Sequence, residues 1–289
     1  MKPTLGILGG SGFYEIKELE AVESIEIETP FGSPTSPVIT GLLNGKPVVF
    51  ISRHGNGHQF LASEINYRAN IYAMKTLGVD RLISISAFLS LRSDYEPGHL
   101  IIPEQLLDFT SNRPRTFFGE GLVASIDAAT PFCSHLSTEL YQSAIQTDTQ
   151  VHLGGTLLTV DGPRTTTNAE SNLYRAWGVS MINTTSCPEA FLAREAEMCY
   201  AVLGHVVRYD LPHPVQTRSN MTKDLPSILL ENHIFVLQTL QTLVASLPED
   251  LECQHHNALV GAIQTPASSI PPETAAKLQP LIKKYISQQ

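Results

Sequence analysis

The chain has 289 residues, 42% of them hydrophobic and 7% aromatic, which is enough apolar material for a sizeable core. Its formal net charge of −9 argues against non-specific binding to nucleic acid or to an anionic membrane surface, and leaves room for a small basic pocket. No stretch approaches the roughly 18 consecutive apolar residues of a membrane span, and no secretory leader is recognisable, so the expected setting is soluble and cytoplasmic.

The first apolar run, Thr4–Leu8, breaks into Gly9-Gly10-Ser11-Gly12. Glycines let successive N–H groups converge into a nest for an anion, and Ser11 adds a hydroxyl. At the carboxyl end of a strand this reads as a phosphate-binding loop, or else as a bare tight turn. It is neither a P-loop, since no lysine follows, nor the dinucleotide fingerprint. A second run, Pro47–Ile51, ends in Ser52-Arg53-His54-Gly55-Asn56-Gly57-His58. The planar fork of Arg53 matches two phosphate oxygens and His54 adds a donor, although a solvated surface turn has the same composition.

Glu64–Leu77 carries Ile65, Ala69, Tyr72 and Leu77 at near-helical spacing. Leu82–Ile85 leads into Ser86 and Ala87, whose hydroxyl and amide offer another anion contact, and Leu100–Ile102 is a further short strand. Gly155–Val160 enters a polar loop, Asp161 to Glu170, that opens a helix over Asn168–Trp177. Val179–Ile182 ends in Asn183-Thr184-Thr185-Ser186, ahead of a helix over Pro188–Met198 whose N-terminus favours anions. Ala201–Val207 ends in Arg208-Tyr209-Asp210, charges that must pair or face a ligand. His205, just inside that strand, reads as a core histidine. Residues 211–225 and 253–272 read as Pro/Ser/Thr-rich loops around a helix near Ser227–Ser246, and a last helix is expected over Pro272–Ile286.

Strands alternating with helices predict an α/β fold, with a central mixed, mostly parallel sheet flanked by helices. No repeat or linker divides the chain, so one domain over 1–289 with a helical tail is expected. Cys133, Cys187, Cys199 and Cys253 show no C-x-x-C pair and no metal-ligand spacing, and His255-His256 sits in a polar loop without further ligands. Ordinary buried thiols and no metal are expected. Five polar strand ends can converge on one cleft.

The segments Gly6 to Gly12, Thr29 to Pro34, Arg53-His54-Gly55, Glu64 to Asn70, Asp161 to Arg164, Ala169-Glu170-Ser171, Trp177-Gly178, Ile182-Asn183, Pro188-Glu189 and Leu192 to Glu195 occur in that order. Together they resemble the 5′-methylthioadenosine phosphorylase branch of the trimeric purine nucleoside phosphorylases, over roughly residues 4–212. The resemblance implies a nucleoside phosphorylase-like fold, a pentosyltransferase activity, inorganic phosphate as co-substrate, no cofactor and a homotrimer. The partners it implies are a small-molecule nucleoside and phosphate, with no nucleic acid and no membrane. It assigns phosphate to Ser11, Arg53, His54, Ser86, Ala87 and Thr185. It places Thr184 at the ribose, Thr165 and Thr166 at the base, His58 at the 5′ pocket, and Arg208 and Asp210 as the catalytic strand end.

Three departures from the family pattern bear on specificity. Arg208 stands where an aspartate is usual; a guanidinium donates hydrogen bonds but gives up no proton near neutral pH. Thr165 replaces a stacking aromatic and Thr184 a methionine. Leu89 replaces a glycine two residues after Ala87. The expected activity is phosphorolysis of 5′-methylthioadenosine or a close analogue. The alternatives are a 6-oxopurine phosphorylase and a non-catalytic phosphate- or nucleoside-binding homologue. An ion pair between Arg208 and Asp210 would close the base site and favour the last of these.

Overall fold

The computed structural model describes residues 5–210, 225–248 and 253–286. Apart from Leu225, the loop expected over 211–225 lies outside them. Strand β1 (Leu5–Gly9) runs parallel between β4 (Lys46–Ser52) and β5 (Arg81–Ser90) and is buried throughout. That explains its continuous apolar sequence, because a parallel central strand is covered on both faces. On the β4 side, β3 (Val38–Leu43) and β2 (Glu20–Ile25) add antiparallel. On the other side, β11 (Cys199–Tyr209) runs parallel along β5, and the antiparallel β6 (Leu100–Ile102) with its parallel neighbour β8 (Val151–Leu153) follows. The end of β5 also pairs antiparallel with β10 (Met181–Asn183), which continues in parallel through β9 (Thr156–Val160) to β7 (Gln105–Phe109).

The helices are α1 (Tyr67–Thr76), α2 (Ser134–Ala144), α3 (Asn168–Ala176), α4 (Ser186–Glu195), α5 (Leu225–Ser246), α6 (Pro272–Lys277) and α7 (Gln279–Ile286). Successive strand residues face opposite sides of the sheet, so Leu8 joins Ile71, Leu192 and Leu281 under α1, α4 and α7, while Ile7 joins Leu136 and Leu240 under α2 and α5. The mixed, mostly parallel sheet with flanking helices is as expected. Among the described residues α5 alone is long and apolar enough to cross a membrane, yet Val236, Leu240, Leu243 and Val244 are packed into the second cluster.

One detail of the topology positions the site. β1 pairs with β5 only as far as Ser84, and β10 takes over that edge at Leu89. Between these points the edge of β5 faces no strand. The opposite edge stays paired to β11 throughout, and the register irregularity lies in β11, between Val206 and Arg208. Leu89 therefore sits in regular strand, paired with Ile182 and Arg208, and needs none of the freedom a glycine would have provided.

Three expectations are corrected. The apolar runs underestimate β5 and β11, because Ser86, Ser90 and Arg208 continue the ladder although they are polar. The C-terminal helix is two helices, and Pro280, lacking an N–H, stands where a continuous helix would need a donor. The third concerns the cysteines. They are free, and His255, expected to stand without further ligands, has Cys133, Cys199 and Cys253 around it, with ligand atoms all within 4.8 Å of one another.

Candidate active site

The glycine turn folds onto β5. Phe13 N–H donates to the Gly10 carbonyl at 2.9 Å, closing the turn, and Gly12 takes a φ of +82°. Gly10 has no room for a side chain, since a Cβ there would lie 2.3 Å from the Ile85 carbonyl and 2.7 Å from Arg53 Nη2. The turn thus faces the open stretch of β5. Arg53 Nη2 donates to the Ile85 carbonyl on that edge. Residues two apart in a strand present their backbone groups to the same edge, so the Ala87 amide points there too. Ser86 accepts from Asn183 Nδ2 at 2.9 Å, which leaves its own hydroxyl hydrogen to donate, and its Oγ lies 3.5 Å from Thr185 Oγ1. Thr185 is the residue before α4 and makes no side-chain capping bond.

Arg53 is placed differently from a simple phosphate fork. It is fully buried, and Nη1 donates to Ser84 Oγ at 2.7 Å and to the Glu189 carboxylate at 2.8 and 3.0 Å. Burial works against its charge, but Glu189 beside it holds the guanidinium above its ordinary pKa. Ser84 and Tyr200 complete the network by donating to Glu189 at 2.6 and 2.8 Å. Among the described residues Arg53 Nε, fully buried, has no hydrogen-bond partner. Glu189 is not legible in the sequence as a site residue: there it is an acidic residue in a helix's first turn, and its partner is at position 53.

His54 is buried and its ring stacks on His58, with centroids 4.3 Å apart. Burial, with Arg53 next to it, pushes its pKa down to about 4. Its Nδ1 lies 2.9 Å from the Phe60 carbonyl and must donate to it, so neutral His54 presents Nε2 as an acceptor. His58, at a φ of +59°, is exposed and lies 2.9 Å from the Tyr14 hydroxyl. His205 is a core histidine as expected: Asn232 donates to its Nδ1 at 3.2 Å, and the other nitrogen faces the Ser11 backbone. His233 Nδ1, 3.3 Å from the Gly12 carbonyl, also ties α5 to the turn. A cavity of about 910 Å³ opens beside it, bordered by Tyr14, Asn56, Gly57, Leu229 and His233.

At the end of β11, Asp210 is buried and accepts a hydroxyl on each oxygen, from Thr166 and from Ser171. Its amide donates to the Ser90 carbonyl at 2.8 Å, and its carbonyl accepts from Arg175 at 2.6 Å. Ser171 is a second residue whose role the sequence does not show: it stands in the Ala169-Glu170-Ser171 segment without a site assignment. Arg208 is half-buried and forms no ion pair with Asp210 among the described residues. The closed base site is therefore not what is observed. Thr184 is half-buried and its carbonyl accepts from Arg113 at 2.7 Å, whereas Thr165 is exposed. The fold thus brings Ser11, Arg53, Ser86, Ala87 and Thr185 to one edge of β5, and Thr166 to Asp210 at the adjoining strand end.

Residues 4–222 match the phosphorylase superfamily. The chain is 44% identical over 288 residues to the S-methyl-5′-thioadenosine phosphorylase of Geobacter sulfurreducens, covering 99% of this chain and 100% of that protein. It is 39% identical to the enzyme of the same name from Koribacter versatilis, over 100% of this chain and 99% of the other. Among solved structures, a methylthioadenosine phosphorylase from an antarctic soil metagenomic library superposes with a TM-score of 0.91 at 38% identity, covering 96% of this chain and 98% of the other. The methylthioadenosine phosphorylase of Schistosoma mansoni in complex with adenine gives 0.82 at 29% identity, over 91% and 99%. With the glycine turn, the open edge of β5 and these full-length likenesses together, the chain belongs to the phosphorylase superfamily, on the branch that holds the S-methyl-5′-thioadenosine phosphorylases.

Proposed function

We propose that this chain catalyses the phosphorolysis of S-methyl-5′-thioadenosine, giving free adenine and 5-methylthioribose 1-phosphate. The observation that carries this reading is the open edge of β5, where the glycine turn, the Ala87 amide and the Ser86 and Thr185 hydroxyls meet over Arg53. These groups, with Ser11 and His54, hold inorganic phosphate. His54 Nε2 accepts from a phosphate or sugar hydroxyl. Thr184 borders the ribose, Thr165 and Thr166 the base, and His58 the 5′ substituent.

A phosphate oxygen bonds to C1′ as the C1′–N9 bond breaks, and the electron pair of that bond leaves with the purine. The sugar passes through an oxocarbenium-like state, which the phosphate dianion stabilises. Arg208 donates to N7 and holds the negative charge that develops there; since a guanidinium does not release a proton, the one N7 finally gains is relayed through water from the P–OH of the attacking hydrogen phosphate, which leaves the sugar phosphate as a dianion. Each Asp210 oxygen already accepts one hydroxyl and keeps lone-pair capacity for a 6-amino N–H. Neither step calls on a metal or an organic cofactor. The assembly that goes with this reading is a homotrimer, measurable by analytical ultracentrifugation.

The test is phosphate-dependent base release from methylthioadenosine, methylthioinosine, adenosine, inosine and guanosine. Release from methylthioadenosine at least ten-fold faster than from methylthioinosine supports the reading, a difference within reach of one mismatched polar group. Release from the 6-oxo members alone overturns the substrate and makes Arg208 the base reader. No release from any of them, by protein that is folded and binds phosphate, overturns the enzyme.

A further inference from the structure

Cys133 immediately precedes α2, and its Sγ accepts from the Leu136 N–H at 3.5 Å. Cys199 opens β11. Cys253 and His255 follow α5, two residues apart. The fold closes these distant positions into one cluster. Cys133 and Cys253 have sulfurs 3.4 Å apart, Cys253 Sγ lies 3.0 Å from His255 Nδ1, and all four ligand atoms fall within 4.8 Å of one another. All but Cys253 are buried.

The sulfur separation is far beyond the about 2.05 Å of a disulfide. It is close to another geometry. Around zinc, bonds of about 2.3 Å to sulfur and about 2.0 Å to nitrogen give tetrahedron edges of about 3.5 to 3.8 Å. The 3.4 Å S–S and 3.0 Å S–N separations lie slightly inside those edges, and every other pair stays within 4.8 Å. Soft thiolates with one imidazole select zinc over calcium or magnesium, and four protein ligands leave no open position for a substrate. Burial lowers the pKa of Arg194, against which Asp127 and then the three cysteines act. Three thiolates and a neutral imidazole on a dication carry one net negative charge.

We propose that Cys133, Cys199, Cys253 and His255 form a structural site for a thiophilic divalent cation, Zn²⁺. Binding converts three thiols to thiolates with release of three protons, and His255 Nδ1 gives the fourth lone pair. The site lies at the amino end of β11 and Arg208 near the carboxyl end, about 30 Å away at about 3.3 Å per residue. The metal therefore fastens the segment after α5 to the sheet and takes no part in catalysis. Because such a site is assembled only in the folded chain, metal affinity appears as folding stability.

The reduced full-length protein is incubated with Zn²⁺ alone, passed through a desalting column, and its metal measured by mass spectrometry. One zinc per chain is expected, with retention falling at least ten-fold in Cys253→Ser and in His255→Ala. His135→Gln, at an exposed position of α2, retains full zinc. Chelation lowers the melting temperature while kcat/KM below the transition stays unchanged. Should the variants fail to fold, the wild-type protein loaded with Co²⁺ decides: intense tetrahedral d–d bands with thiolate-to-cobalt charge transfer support the site. Weak octahedral bands, zinc well below one per chain, or a Cys133–Cys253 disulfide in protein prepared without oxidant each overturn it.

Discussion

Replacing Glu189 by Gln tests how the anion site is charged. The pair it breaks is 0% exposed at Arg53 and 1% at Glu189. One carboxylate oxygen serves Arg53, Ser84 and Tyr200, and the other serves Arg53 at 3.0 Å. The Glu189→Gln change keeps the volume, but an amide N–H group must then face donors and the guanidinium loses its counter-charge. Removing one partner of a buried ion pair costs about 3–5 kcal/mol, because the other is left charged in the interior. At about 2 °C per kcal/mol for a chain of this size, the melting temperature falls by about 6–10 °C. A phosphate dianion bound above Arg53 restores part of the missing charge. Saturating phosphate therefore raises the melting temperature of the variant by more than it raises that of the wild type. Thermal unfolding followed by circular dichroism, with and without phosphate, reads both quantities. A drop under about 2 °C, or equal phosphate increments in the two proteins, would refute the reasoning.

Three further outcomes are expected. Gly10→Ala places a Cβ 2.3 Å from the Ile85 carbonyl, so the KM for phosphate rises at least ten-fold in steady-state assays; an unchanged KM would separate the turn from the anion site. Asp210→Ala lowers kcat/KM for methylthioadenosine by about 10²-fold or more while phosphate affinity moves little, and equal losses in both would rule out a base-side role. Burial pushes Glu195 up to about 7, although Thr116 and Phe117 donate to it. A carboxyl whose folded pKa is raised contributes stability that is complete below its unfolded value, near 4.5, and is lost as pH rises through about 7. Glu195→Gln flattens that window, gaining up to about 3 kcal/mol over the wild type at pH 8 in urea unfolding, and a wild-type curve that is flat from pH 5 to 8 would contradict it.

The polar strand ends are readable in the sequence because Gly, Ser, Arg or Asp closing a buried strand must turn the chain, pair with a partner or meet a ligand. The exposed β2, reading EAVESI, carries no apolar run and gives no such signal. Glu189 and Ser171 stand in segments that carry the resemblance, yet their roles are not legible, for another reason. Their importance lies in partners at positions 53 and 210, and spacing along the chain says nothing about pairing across a sheet. The same holds for Cys133, Cys199 and Cys253, which only the topology around β11 and α5 brings to His255. Leu89 shows the converse: a residue that looks incompatible with its position is accommodated because the irregularity falls in the neighbouring strand.

The unpaired edge of β5 also has an evolutionary consequence. The Ile85 carbonyl and the Ala87 amide are main-chain atoms, present whatever side chains occupy those positions. Most side-chain substitutions leave them in place, whereas the groups proposed to face the base, Thr166, Arg208 and Asp210, act through their side chains. A lineage on this scaffold that alters only those base-side side chains can therefore shift its leaving group while the main-chain part of the anion site stays in place.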